Sequence, residues 1–269
     1  MDNLRVVTLN VWNDREQPAR RLELIAEGLF ALELDLIGLQ EVREGRALAQ
    51  ATVLAHRLGM EYVFDPVDLH SVNGPVGNAI LSRYPIEKVE RYALPSPPGD
   101  PRRAVQVLVR TPAGEVQFTC CHLSWEPHLA PMRERQVLAL DEMTRGPPER
   151  HSLLVGDFNT SPDSKAIRFL TGLDSLEGRG TFFRDTFARR HRHEDGFTWS
   201  SKNPFAVRWI EQNRRIDYVF VRGAPSSQGE RIVEEARVVL DQPGADGCWP
   251  SDHFGVFAAT RMRPKASGA

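Results

Sequence analysis

Asp157 and Asn159 stand two residues apart at the end of an apolar run, in Ser-Leu-Leu-Val-Gly-Asp-Phe-Asn-Thr-Ser over 152–161. In extended chain that spacing aims both side chains to one side. Other apolar runs also end in groups able to do chemistry: Asn10 after Leu4–Leu9, Glu41 after Asp35–Leu39, and His122 after the run through Cys120 and Cys121. Asp217 sits inside Arg-Ile-Asp-Tyr-Val-Phe-Val, and Asp252-His253 precedes the last apolar run. Each has a plain structural reading when taken alone. Asn10 suits a turn, Glu41 a solvated surface, His122 a satisfied buried histidine, Asp157 with Asn159 an Asx-rich turn, and Asp252-His253 a polar turn. Asp217 is harder to dismiss, because a buried carboxylate between Ile216 and Tyr218 requires a cationic or hydrogen-bonding partner.

Taken together, the set meets the requirements of one reaction. Hydrolysis of a phosphate ester needs a divalent cation against the charged oxygens, a group that orients or deprotonates water, and donors for the developing negative charge. Carboxylate and amide oxygens are the ligands that Mg²⁺ or Mn²⁺ prefers, and magnesium keeps several waters, so few protein ligands suffice. Glu41, with Asn10 and Asp252, can supply them. Asp157 and Asn159 can hold the attacking water and a phosphate oxygen. Asp217 can fix the tautomer of His253, which then works as general base or acid, and His122 can donate to the phosphate.

These residues need rigid elements beneath them. Leu4–Val11 reads as a strand, Pro18–Glu33 as an amphipathic helix with Leu22, Ile25, Ala26, Leu29 and Leu32 on one face, and Asp35–Leu39 as a second strand. A helix is predicted over 46–58, stopped by Gly59, followed by short strands at 60–65, 78–82, 86–93, 103–110 and 116–122. Helices at 131–144 and 162–170 flank the strand that carries Asp157, and strands return at 215–222, 231–240 and 253–261. The stretch 172–213 shows no clear period and reads as a long irregular region. Helices fall between strands and no composition shift divides the chain, so a single α/β domain over 1–262 is expected, with a disordered tail at 263–269.

A net charge of −2 and a pI near 6.5 exclude a global positive field of the kind that advertises nucleic acid, while leaving room for a local basic patch. Cys120, Cys121 and Cys248 offer neither a disulfide framework nor zinc spacing. The first residues lack the basic and apolar regions of a signal peptide, and no run reaches transmembrane length. A cytoplasmic, monomeric protein is the resulting expectation.

The ordered motifs Thr-Leu-Asn10-Val-Trp-Asn, Leu-Gln-Glu41-Val-Arg, Gly-Asn78-Ala-Ile-Leu-Ser-Arg, Cys-His122-Leu, Gly-Asp157-Phe-Asn159, Arg-Ile-Asp217-Tyr-Val-Phe and Ser-Asp252-His253-Phe-Gly resemble the endonuclease/exonuclease/phosphatase superfamily. They extend from residue 6 to about 258. The resemblance implies the DNase I-like four-layer α/β sandwich, two packed mixed β-sheets flanked by helices. It also implies Glu41 as principal Mg²⁺ ligand (Mn²⁺ serving as well) assisted by Asn10 and Asp252. Asp157 would align or activate water beside Asn159, His253 oriented by Asp217 and His122 would contact the phosphate, and Asn78 would line its site. Arg43 stands where DNase-like members carry arginine, with a structural ion pair as its alternative. Trp12 replaces the acidic residue that some DNA-repair members place after the first asparagine, which argues against a second metal there. His122, where apurinic endonucleases have tyrosine, argues against an abasic-site enzyme.

Substrate choice falls to the loops. Trp125 and His128 follow His122, Arg102 and Arg103 follow a proline-rich stretch, and Phe205, Arg208, Trp209, Arg214 and Arg215 lead into the Asp217 strand. Arginines interleaved with aromatics suit a single-stranded or end-structured nucleic acid. They equally suit a loop packed by its own aromatics. Trp199 reads as a core residue. A phosphodiesterase for nucleic acid or a nucleotide conjugate leads, ahead of a phosphodiesterase or phosphatase for a lipid headgroup or small organophosphate. A non-catalytic binding module of the same fold is the third reading.

Overall fold

A computed structural model describes residues 3–69, 72–147, 150–207, 212–223 and 233–261. In chain order the elements are β1 (Asn3–Asn10), α1 (Pro18–Ala31), β2 (Leu36–Arg43), α2 (Gln50–Leu58), β3 (Glu61–Asp68), β4 (Val76–Ser82), β5 (Ile86–Leu94), β6 (Arg102–Thr111) and β7 (Gly114–His122). After a 3-10 turn at Pro127–Leu129 come α3 (Ala130–Met143), β8 (His151–Asp157), α4 (Lys165–Leu170), β9 (Phe183–Asp185), α5 (Thr186–Arg190), β10 (Asp217–Arg222), β11 (Val233–Val239) and β12 (Gly255–Arg261). The strands form two mixed sheets of six, in the orders β11-β12-β1-β2-β4-β3 and β5-β6-β7-β8-β10-β9.

Strand alternation makes the layers. Val6 of β1 and Leu36 of β2 meet Val105, Phe118, Cys120 and Val155 of the other sheet in a core between the sheets. Their neighbours Val7 and Ile37 turn outward to Leu22, Ile25 and Leu29 of α1 and Leu54 of α2. Cys121, beside Cys120, turns away to Val137 and Leu140 of α3 and Ile167 of α4. The two adjacent cysteines thus serve two different cores, as a period of two requires, and all three cysteines are free and buried. The result is the four-layer α/β sandwich expected from the motifs.

Two crossovers aim the site. β1 runs parallel to β2, joined through α1, and β7 runs parallel to β8, joined through α3. Asn10, His122 and Asp157 end β1, β7 and β8, while Asp217 opens β10, which runs antiparallel to β8 with Asp217 opposite Asp157. Strand ends of both sheets therefore meet at one edge of the sandwich.

The element bounds differ from expectation where capping decides them. α2 begins at Gln50 rather than near 46, because the Glu44 carboxylate accepts the Ala51 and Thr52 N–H groups from outside the helix. α4 begins after Ser164, whose Oγ accepts the Ile167 N–H, and not at Pro162. The stretch read as irregular holds β9 and α5, too short to show a period; Asp185 caps α5 by accepting the Ala188 N–H. The expected tail at 263–269, the start of the strand expected at 231–240, and Arg208 and Trp209 lie outside the described residues. Among the described residues no helix is long and apolar enough to cross a membrane.

Candidate active site

The Asn10 amide bridges the two sheets. Its Nδ2 donates to Glu41 Oε1 and to Asp157 Oδ2, both at 3.1 Å, while its Oδ1 accepts the Trp12 N–H at 3.0 Å. Glu41 lies where the β2–β4 register shifts between Leu39 and Val42, and its backbone is left-handed, with φ of 55°. That bulge re-aims the carboxylate out of the sheet, a strained arrangement of the kind concentrated at functional sites. Asn13 secures its other oxygen, donating to Oε2 at 2.7 Å.

Asp157 is buried and held in place by the Asn159 N–H, which donates to Oδ1 at 2.8 Å; Asn159 Nδ2 in turn donates to the Leu123 carbonyl at 3.0 Å. His253 Nδ1 lies 2.9 Å from Asp217 Oδ2, and its Nε2 lies 3.8 Å from Asp157 Oδ2. Thr198 Oγ1 accepts the Asp217 N–H at 3.2 Å, and Asp217 Oδ1 is buried with no hydrogen-bond partner among the described residues. His122 Nε2 approaches Asp157 Oδ2 at 3.4 Å.

Burial sets the charges. Desolvation and the neighbouring Asp217 charge push Asp157 up to about 7, against the pull of His253. Asp252 also rises to about 7, through burial and the Glu41 charge, with His253 opposing. Burial works against a charged His253, but Asp217 and Asp157 overcome it and raise the imidazole to about 10. His122 is pushed well below its ordinary value, by burial first and by Arg102 and His253 after it. His253 is therefore a cationic donor, and His122 is neutral, so its contact with Asp157 is not an ion pair.

These residues form the floor of a cleft of about 980 Å³, lined by Glu41, Asn78, His122, Asp157, Asn159, Asp252 and His253 among others. Asn10 and Asp217 support the floor from behind. Asn78 donates from Nδ2 to the Arg103 carbonyl at 3.0 Å. Trp125 stands at the mouth, 58% exposed. Arg43 goes elsewhere: its Nη2 pairs with Asp14 at 2.9 Å and its Nη1 donates to the Gly74 carbonyl, outside the cleft lining, so the ion-pair alternative describes it. Arg102 and Arg103 face the cleft but pair with Asp100 at 2.7 Å and Asp65 at 2.9 Å. Trp199, read as core, lines the cleft and meets the His253 ring edge-on at 4.8 Å.

The donor set suits a hard divalent cation. Glu41 and Asp252 place two carboxylates at the cleft floor, the hard oxygen ligands that such a cation takes. Asp157, Asp217 and His253 also bring ligand atoms within 4.8 Å of one another. In that trio the imidazole is committed to Asp217, which marks it as a proton-handling group more than a cation cage.

Sequence reasoning missed four supports. Asn13 steadies Glu41, Thr198 anchors Asp217, Ser251 Oγ donates to the Asn10 carbonyl at 2.6 Å, and Arg21 lies wholly buried on the apolar face of α1. Only Arg21 left a signal, a charge four residues before Ile25 on the stripe that packs inward.

A model described as the Endonuclease/Exonuclease/phosphatase family matches residues 7–253. The chain belongs to the endonuclease/exonuclease/phosphatase family. Among solved structures of the same fold, TDP2 of D. rerio complexed with single strand DNA product aligns with a TM-score of 0.77 at 18% identity, covering 97% of this chain and 100% of that one. The endonuclease/exonuclease/phosphatase from Beutenbergia cavernae aligns at 0.73 and 24% identity, covering 98% and 72%. That from Bacteroides vulgatus aligns at 0.72 and 18% identity, covering 98% and 100%. No curated protein sequence matches the chain.

Proposed function

We propose that this chain is a divalent-metal-dependent phosphodiesterase acting on nucleic acid or a nucleotide conjugate, using Mg²⁺ with Mn²⁺ as a substitute. The observation that carries this is the convergence of Glu41, His122, Asp157 and His253 from two sheets on one cleft floor, with Asn10 and Asp217 bonded to them from behind. A cation held by Glu41, with Asn10 and Asp252, would neutralise phosphate oxygens and the charge that develops in the transition state. Asp157, near neutrality and steadied by Asn159, aligns and deprotonates the attacking water. His253, kept protonated by Asp217, donates from Nε2 to a phosphate oxygen, and neutral His122 donates beside it. Asn78 lines the cleft from β4, where it would meet the phosphate.

The nucleic-acid preference rests on the mouth. Trp125 offers an exposed ring, and Arg15 and Arg214 line the cleft without an acidic partner among the described residues. The likeness to a TDP2 complexed with single strand DNA product supports the same reading. The family match over 7–253 supports one domain through residue 262.

The purified chain is expected to cleave a bis-aryl phosphate with Mg²⁺ or Mn²⁺, to lose this with chelator, and to lose most of the rate in Asp157→Ala or His253→Ala. Activity without metal, or full rates in both variants, sinks the mechanism. A panel of single- and double-stranded DNA, RNA, 5′-phosphotyrosyl DNA, sphingomyelin and phosphoinositides decides the substrate. Turnover of the lipids alone overturns the nucleic-acid preference.

A further inference from the structure

The two walls of the cleft are built by the same device. In each parallel crossover a strand ends at a site residue, a short loop follows, and the next helix sends a buried arginine back into that loop. Arg21 of α1 donates to six backbone carbonyls: Val11 at 2.7 Å, Trp12 at 3.1 Å, Asn13 at 2.9 Å, Arg15 at 3.1 Å, Glu16 at 2.8 Å and Pro250 at 3.3 Å. Arg133 of α3 donates to the carbonyls of Ser124 and Glu126, both at 2.8 Å, and of Pro127 at 3.4 Å.

Each loop places one tryptophan in the cleft lining, Trp12 in the first and Trp125 in the second. Beyond that they differ. The Arg21 loop holds left-handed backbone at Trp12 (φ 56°), Asn13 (φ 34°) and Gln17 (φ 50°), conformations that persist only where the surroundings over-determine them. What the strain achieves is the aim of Asn13 on Glu41 Oε2. Through Pro250 the same guanidinium ties this loop to the segment that leads into Asp252. Arg21 thus touches the segments next to Asn10 and Asp252, and reaches Glu41 only through Asn13, without touching the proposed ligands themselves.

Arg133 grips the carbonyls on either side of Trp125 and leaves the ring free at the mouth. Gln136 adds to the grip, accepting the Ser124 N–H at 3.1 Å and donating to Ser124 Oγ at 3.0 Å. A half-exposed indole with its backbone pinned on both sides is a pre-organised stacking surface: the ring can receive a planar group with little ordering left to do.

We propose that Arg21 and Arg133 are positioning residues that divide the cleft between them, Arg21 setting the cation end through Asn13 and the Asp252 segment, and Arg133 setting Trp125 as a shelf for a planar group esterified to the scissile phosphate. This rests on the phosphoesterase reading above. A guanidinium suits both places because its planar fork spreads five N–H donors over a fixed span, where an ammonium offers three from a single point.

The test separates the two ends by measuring Mn²⁺ binding calorimetrically and KM for a bis-aryl phosphate at saturating Mn²⁺. Arg21→Gln and Asn13→Ala are expected to weaken Mn²⁺ binding about tenfold while KM stays within about twofold of wild type. Arg133→Gln and Trp125→Ala are expected to raise KM about fivefold or more with Mn²⁺ affinity within about twofold of wild type. Arg21→Lys and Arg133→Lys should recover part of each loss. Asn13→Ala and Trp125→Ala remove no buried charge, so they report even if a glutamine variant fails to fold. If both constants move together in every variant, or if Asn13→Ala leaves Mn²⁺ affinity untouched and Trp125→Ala leaves KM untouched, the division is wrong. A wild-type chain that neither binds Mn²⁺ nor hydrolyses the ester overturns the phosphoesterase reading, and this division with it.

Discussion

His253 Nδ1 lies 2.9 Å from Asp217 Oδ2, which turns the other ring nitrogen toward Asp157 and the cleft. Asp217 both fixes the ring and, with Asp157, keeps it protonated against the cost of burial. Asp217→Asn preserves shape but removes the charge, so the imidazolium loses its main support. The expected result is a fall in kcat of about 10²-fold or more, with KM little changed. Because the pair acts as a unit, Asp217→Asn combined with His253→Ala should be no slower than His253→Ala alone. Multiplicative losses in steady-state kinetics would show that Asp217 acts independently of the histidine.

Gly156 of β8 pairs with Cys121 of β7 in the parallel ladder. A Cβ built there overlaps the Cys121 carbonyl, and the backbone sits at φ +152°. The atoms met are Cys121 backbone and no flexible side chain, so the strands must part. Gly156→Ala is expected to destabilise the chain by about 2–4 kcal/mol, read from urea unfolding. Activity at a temperature where the variant is folded should also fall, since His122 and Asp157 are paired one residue further along the same ladder. A loss under about 0.5 kcal/mol, the size of an ordinary surface change, rules this account out.

The sequence displayed what repeats and what is polar at the end of a repeat. Alternation in β1, β2, β7 and β8 and the apolar stripe of α1 are long enough to read, and Asn10, Glu41, His122, Asp157 and Asp217 stand out because each interrupts or ends such a run. Asn13 and Ser251 do not, because their roles depend on loops whose backbone is set by distant contacts. Trp12 and Asn13 take left-handed backbone with no glycine to announce it, and the cause is an arginine in the next helix. Two packed sheets follow from the motif resemblance, but which strands share a sheet does not. Both sheets contain antiparallel neighbours and one parallel crossover, so local pattern does not say which strands share a sheet. Arg43 stands two residues from Glu41, but beyond the left-handed turn at Glu41 it pairs with Asp14, so nearness in sequence does not decide between the two readings of this arginine.

His191 links α5 to the edge strand β11. Its Nδ1 lies 2.8 Å from Glu194 Oε1 and its Nε2 2.6 Å from the Ala236 carbonyl oxygen, with the ring stacked on Phe187 at 4.6 Å. Acceptors at both nitrogens favour the imidazolium, and the Glu194 contact followed by the Ala236 carbonyl raises its pKa from 6.5. The folded state thus binds the proton more tightly than the unfolded one. The stabilisation is fully present below about pH 6.5 and is lost as pH rises through the folded value. His191→Gln should therefore lower Tm at pH 5.5 and approach wild type by pH 9, with a maximum difference under about 1 kcal/mol because the ring is partly solvated. A Tm difference independent of pH excludes the charged state as its source.

Glu41 sets function against stability in one residue. Its φ of 55° is unfavourable for glutamate, and its charge helps to push Asp252 upward. Asparagine tolerates the left-handed region and carries no charge. Against this, Glu41→Asn gives up the hydrogen bonds from Asn10 and Asn13, although Asn10 keeps Asp157. Relief of backbone strain and of like charge outweighs those partly exposed bonds, so the metal-free variant should gain about 1 kcal/mol, or about 2 °C in Tm. The same change removes the principal proposed cation ligand, so hydrolysis should fall by about 10²-fold or more. Mn²⁺, which should raise the Tm of the wild type by binding only the folded chain, should no longer do so. A variant that melts lower than wild type without metal, yet is still stabilised by Mn²⁺, would place both the strain and the cation elsewhere.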